Sequence, residues 1–262
     1  MNLTVARPLT NGRKGFLCPA HRAGREDHED VDAIQEVTNM NDTMQATGRV
    51  IATFASQHLK AASLFRDHVL RIETDHVGLP LGAFFEDIRS YASACIMSSA
   101  ASLETLINEL FIAHEGNLRA RMSDFETEFW GSKGRKGIER KRTLDKYQLA
   151  LLMLNVPKFT ENTSPYRDAW ALVALRNALF HHKPSWDPAR HREDNLVKEL
   201  EGRFLVSPFP HERADFVTMQ CMSHGCARWA VETVLAFVSE FDARTRTQLD
   251  AKKMQAFLAC GA

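Results

Sequence analysis

Apolar residues recur every three to four positions through most of this chain, and no run alternates apolar with polar residues between turn signals. A chain patterned this way buries helical stripes against one another, so the expected class is all-α, a helical bundle. Residues 42 to 74 carry Val50, Phe54, Leu64, Phe65, Val69 and Ile72 at helical spacing without a proline, which predicts one long helix ended by Gly78 and Pro80. A second long helix is expected over residues 81 to 114, with a stripe that includes Phe84, Ile88, Ile96, Leu103, Ile107, Leu110 and Phe111. A short loop between them makes an antiparallel pair. Several shorter helices follow, over residues 117 to 129, 138 to 154, 166 to 182, 194 to 200 and 215 to 244. Ser164 and Pro165 suit the N-cap and first turn of the helix at 166.

Composition excludes several classes. Hydrophobic residues make up 44% and charged residues 25%, as in an ordinary globular protein, and 33 basic residues balance 33 acidic ones, so overall charge points to no particular partner. Cys18, Cys95, Cys221, Cys226 and Cys260 are odd in number and scattered, and the N-terminal stretch lacks the apolar run of a secretory signal. Reduced thiols, a cytoplasmic location and no membrane contact are the expectations. Residues 1 to 41, rich in glycine and charge, read as a disordered arm; 42 to 244 form the expected helical domain, and 245 to 262 a helical extension or tail. Met40 and Met44 sit just ahead of the first periodic segment, which leaves open whether residues 1 to 39 belong to the native chain.

Some residues do not fit a plain bundle. On the helix at 166 to 182, Leu172, Val173, Leu175, Leu179 and Phe180 share an apolar arc, and Arg176 falls inside it. A guanidinium stays charged, so there it needs a carboxylate, a ligand phosphate or a wet groove. Asn177 lies one step round the helix, with His181 one turn further on. The second long helix has a matching oddity in Glu104, with Asn108 one turn away. The simplest reconciliation is that the two helices face each other and that Glu104, with Asn108, pairs with and orients Arg176. A purely structural Glu-Arg pair, with the histidines as ordinary helix-end cations, is the competing explanation.

The segment Leu175-Arg-Asn-Ala-Leu-Phe-His-His-Lys-Pro184 resembles the signature of the HEPN superfamily, in which an Arg, commonly followed by a polar residue, precedes a His by a few positions. The stretch Ser102-Leu-Glu-Thr-Leu-Ile-Asn-Glu-Leu-Phe111 is similar to the paired helix of several HEPN groups. The resemblance extends over about residues 42 to 244. It implies an HEPN-like helical bundle that forms a homodimer, with both Arg/His motifs lining one cleft, and cuts RNA without a metal. Arg176 would hold the phosphate, His181 would serve as general base or acid, and Asn177 would position one or the other. The product would be a 2′,3′-cyclic phosphate. Growth-arresting toxins and antiviral effectors are roles the resemblance implies, with an antitoxin or other regulatory protein as partner. HEPN proteins governed by a partner nucleotidyltransferase tend to carry a Tyr shortly after the motif histidine, where this chain has Lys183. The alternative is a non-catalytic HEPN module that binds RNA or a protein.

Two further features are candidates. Lys133, Arg135, Lys136, Arg140, Lys141, Arg142 and Lys146 form a basic stretch that suits an RNA backbone or, equally, a solvated surface. Cys221, His224 and Cys226, and the group Cys18, His21 and His28, lack the repeated ligand pairs of a zinc site. No metal and no cofactor are assigned.

Overall fold

Leu59, Ala62 and Val69 line the buried face of helix α1 (Ala55–Asp75), and Ile88, Ala92, Ile96, Leu103 and Ile107 that of helix α2 (Phe84–Leu110). In the computed structural model these two long helices pack along each other as the antiparallel pair their patterning predicts. The structure describes residues 43–46, 49–111, 123, 137–183, 194–210, 214–245 and 251–261. The expected arm before residue 42, the helix over 117 to 129 apart from Ser123, and most of the glycine-rich loop after it lie outside the described residues.

The described domain is an all-helical bundle, preceded by one short two-stranded ribbon. After α2 come α3 (Thr143–Met153), α4 (Tyr166–Phe180), α5 (Asp194–Leu200), α6 (His224–Thr245) and α7 (Ala251–Ala259). A 3-10 turn at Ile138–Arg140 precedes α3, and a π turn at Phe216–Gln220 precedes α6, so two helices expected to be continuous begin later than their periodicity suggests. The first helix is also shorter than expected. Its predicted opening is the ribbon of β1 (Thr43–Ala46) and β2 (Arg49–Ala52), with Ala46 opposite Arg49. Gly48 and the neighbouring β-branched residues Thr43, Thr47, Val50 and Ile51 weigh against a helix there. Among the described residues no helix is long and apolar enough to cross a membrane.

Buried carboxylates fix the helix ends. α1 has no side-chain N-cap of its own; the Glu109 carboxylate, at the far end of α2, accepts the N–H groups of Phe54 at 2.7 Å and Ala55 at 3.0 Å. Its other oxygen meets Lys253 of α7 at 2.9 Å. Glu73, near the end of α1, accepts the N–H of His224 at 2.8 Å and so caps α6. Such long-range caps satisfy amides that a helix start otherwise leaves open. Residues 251–261 therefore pack on the bundle. Met254 and Phe257 are buried, and Ser63 reaches the Gly261 carbonyl.

Behind α3 the core is aromatic. Tyr147 packs edge-on against Phe237 and Phe241, each with centroids 4.9 Å away, and Phe159 stacks on Phe237 at 4.8 Å. A fully buried side chain of this size stabilises by roughly 1.5–3 kcal/mol, so this cluster anchors α3 and α4 to α6. The Tyr147 hydroxyl donates to the Leu103 carbonyl, and burial, then the charges of Glu104 and Glu109, push its pKa well up. The described cysteines Cys95, Cys221, Cys226 and Cys260 are unpaired thiols, and burial pushes Cys95 up to about 12.

Candidate functional site

Helix α4 has two working faces. One face, carrying Ala169, Leu172 and Leu175, is buried. The other carries Trp170, Val173, Ala174 and Asn177, which line a cavity of about 650 Å³. The apolar arc expected from the sequence is thus narrower than predicted. Val173 faces the cavity, Leu179 is half-buried and Phe180 is 66% exposed. Ser164 does not cap α4 either, since its hydroxyl donates to Asp168 at 2.5 Å rather than accepting a backbone N–H.

The other walls come from four places. α2 supplies Glu104, the start of α3 supplies Thr143, Leu144 and Asp145 with Lys141 and Arg142 just ahead, the following loop supplies Glu161 and Asn162, and α5 supplies Glu199. The α5 wall is held by ion pairs, with Arg167 of α4 forked onto Glu199, and Arg203 bridging Glu199 and Asp168. Arg167 accordingly holds the Glu199 carboxyl below its ordinary range.

Glu104 does not pair with Arg176. Its carboxylate accepts from Lys146 Nζ and Thr143 Oγ1, and more weakly from Asn108 Nδ2 at 3.4 Å; Asn108 returns its Oδ1 to Lys146 at 2.8 Å. The competition is decided by burial. The Lys146 side chain is 1% exposed and needs the carboxylate, whereas Arg176 is half-buried and lines the open cavity. Lys146 must also be removed from the candidate RNA contacts, because it is a core residue.

Arg176 and Asn177 both line the cavity, and among the described residues neither side chain has a hydrogen-bond or ion-pair partner. His181 sits at the C-cap of α4, exposed, its backbone N–H bonded to the Asn177 carbonyl at 2.9 Å and its ring edge-on to Phe180 at 5.0 Å. It lies beyond the cavity lining. His182 and Lys183 are exposed beside it.

Of the basic stretch, Arg140, Lys141 and Arg142 are exposed; Lys141 and Arg142 line the cavity, and Arg142 pairs with Asp145 at 2.9 Å, which holds its pKa above the ordinary value. Lys133, Arg135 and Lys136 lie outside the described residues. Once the ion pairs are drawn, the cations lining the cavity that remain without one are Arg176 and Lys141, among the described residues. Trp170 is among the lining residues that sequence reasoning missed, with Glu161, Asn162 and Glu199. It is 45% exposed, and the signal was a tryptophan one turn before Ala174 on the face carrying Asn177.

Comparison with protein-family models, with curated proteins and with solved structures matches none of them to this chain.

Proposed function

We propose that this chain is an HEPN-type endoribonuclease that cuts single-stranded RNA by attack of its own 2′-hydroxyl. The observation that carries the reading is Arg176, a half-buried guanidinium lining a cavity and left without a protein partner among the described residues. A protein core pairs such a charge; a phosphate site leaves it free.

In this reading Arg176 takes the scissile phosphate and stabilises the charge that builds on its oxygens as the 2′-oxygen attacks. Asn177 supplies an amide to the same phosphate. His181 is solvent-exposed and serves as general base or acid. The step takes a proton from the 2′-hydroxyl and returns one to the 5′-oxygen that leaves, giving a 2′,3′-cyclic phosphate and a 5′-hydroxyl. One chain contributes one motif histidine, so the second proton transfer falls to His181 of a two-fold related copy. The exposed Phe180 beside His181 suits a contact near that axis. Such an enzyme would act in the cytoplasm, as a toxin or defence effector restrained by a protein partner. The position of His181 outside the cavity lining favours a second reading, a non-catalytic HEPN module that binds RNA through Arg176.

The test is cleavage of labelled single-stranded RNA in chelator. Wild-type protein should yield cyclic-phosphate ends, while His181→Ala and Arg176→Ala should each lose about 100-fold or more in rate. RNA binding without cleavage by the wild type establishes the second reading. Full activity in a strictly monomeric preparation overturns the shared cleft.

A further inference from the structure

Beyond the phosphate site, the same cavity has a part that cleavage chemistry does not need. Its volume, about 650 Å³, is that of a site for a small organic group and well beyond what a phosphate requires. At its far end stands Trp170, 45% exposed on a helix whose opposite face is fully packed, with Tyr166 one turn before it, also in the lining. Exposing this much of the largest apolar side chain to water is costly, and the residue lines the cavity. The polar groups around it are of both kinds. The amides of Asn162 and Asn177 have no hydrogen-bond partner among the described residues, and the exposed Glu161 carboxylate makes no ion pair among them.

An exposed tryptophan, amides without a protein partner, a free carboxylate and a free guanidinium fit one chemistry: a nucleobase attached to a phosphate. Base stacking on tryptophan is tolerant of sequence, and the amides and carboxylate can meet donors and acceptors on the base edge. The spacing agrees. Along α4 Arg176 stands about 9 Å beyond Trp170 at 1.5 Å per residue and about 120° round the helix from it, both in the lining of one cavity, an offset that a nucleotide's base and phosphate can bridge. Trp170, Ala174, Asn177 and His181 follow one another at helical intervals on one face, so a strand laid along α4 meets them in turn.

We propose that this end of the cavity is a nucleobase subsite, in which Trp170 stacks on the base of a single-stranded RNA whose phosphate is held by Arg176. The inference rests on the ribonuclease reading for its substrate but not for its binding chemistry. Trp170 is here a specificity and binding residue and takes no part in proton transfer.

The test measures binding separately from cleavage. The probes are a fluorescein-labelled oligoribonucleotide methylated at every 2′-oxygen, so that it cannot be cut, and the four 5′-mononucleotides against ribose 5-phosphate and inorganic phosphate. Trp170→Ala should weaken the oligonucleotide by about 5- to 150-fold, and Trp170→Phe, which keeps an aromatic face, by clearly less. Wild-type protein should bind at least one mononucleotide more tightly than ribose 5-phosphate, and Trp170→Ala should abolish that difference. On cleavable RNA, Trp170→Ala should raise KM more than it lowers kcat. Should the wild type prefer no nucleotide over ribose 5-phosphate, or should Trp170→Ala bind the oligonucleotide as the wild type does, the subsite is overturned, and cleavage by the wild type would leave the nuclease reading standing. Trp170-dependent binding with no cleavage keeps the subsite and overturns the nuclease instead. The wild-type mononucleotide comparison decides the matter even if Trp170→Ala folds poorly.

Discussion

Replacing Glu104 by alanine removes the carboxylate from a buried lysine, and the cost follows from the two environments. The Lys146 side chain is 1% exposed, while Glu104 is 33% exposed at the cavity wall. Breaking a buried pair by deleting one partner typically costs about 3–5 kcal/mol, because the other charge is left uncompensated. Here two features lower that figure. Asn108 Oδ1 still accepts from Lys146 Nζ at 2.8 Å, and the vacated space adjoins the cavity, so water can enter. The expected loss is therefore near the lower end, about 3 kcal/mol, or a drop in Tm of roughly 6–12 °C. Lys146→Met should cost about 1 kcal/mol, since the remaining carboxylate can turn to the cavity and keep Thr143 as donor. In the Glu104→Ala/Lys146→Met double variant, the second substitution should recover much of the loss caused by the first. Urea denaturation of the four proteins gives the coupling energy directly. A Glu104→Ala variant within 1 kcal/mol of wild type, by the measure of about 1.4 kcal/mol per tenfold change, or a coupling indistinguishable from zero, would refute the assignment of Glu104 as counter-ion to Lys146.

Three further outcomes follow from the structure. Glu109→Ala leaves the Phe54 and Ala55 amides and Lys253 without their acceptor, so it should cost about 2–4 kcal/mol and speed hydrogen exchange at the start of α1 and in α7 together; exchange confined to one of them would contradict the shared clasp. Gly225→Ala should cost about 2 kcal/mol or more, because the added Cβ runs into the backbone of Leu205, and an unchanged urea midpoint would contradict that contact. Burial raises the Glu73 pKa, offset in part by the His224 N–H, so its contribution to stability is fully present below the unfolded carboxylate pKa and is lost as pH rises through the folded value. Glu73→Gln should accordingly gain on wild type between acid and neutral pH in paired denaturation curves, and a constant difference would remove that linkage.

Much of this architecture was legible in residue spacing because burial writes its period into a helix. α2 lies within the segment that periodicity assigned to it, and α6 ends within one residue of its expected close, since each has a strongly selected buried face. Arg176 stood out for the same reason: a charge that breaks a stripe must reach a counter-charge or an opening, and it reaches an opening. The partner of Glu104 was not legible. α3 is buried through Thr143, Leu144, Lys146, Tyr147, Gln148 and Leu151, so it has no polar face against which Lys146 could look out of place. A lysine inside a basic run reads as surface until the residues around it are known to be core. The ribbon at Thr43–Ala52 escaped because two short strands occupy less chain than a periodicity window, and Val50 continues the helical register by coincidence. Long-range caps such as Glu109 leave no local mark, since the amides they serve are 54 and 55 residues away.

The antiparallel pairing of α1 and α2 also sets an order of events during folding. Their link closes a short loop, so the hairpin is cheap to form and its contacts are local. The seating of α7 is not: the hydrogen bond from Ser63 to Gly261 spans 198 residues of chain. Loop closure on that scale pays back only after the intervening helices have docked, which makes the α1–α2 hairpin the natural nucleus and α7 a late arrival. Truncating Ile88, in the hairpin interface, should then slow folding, whereas truncating Phe257, under α7, should mainly hasten unfolding. The kinetic lifetime of the native state is thus governed at the end of the described chain, on a helix other than the one that carries Arg176.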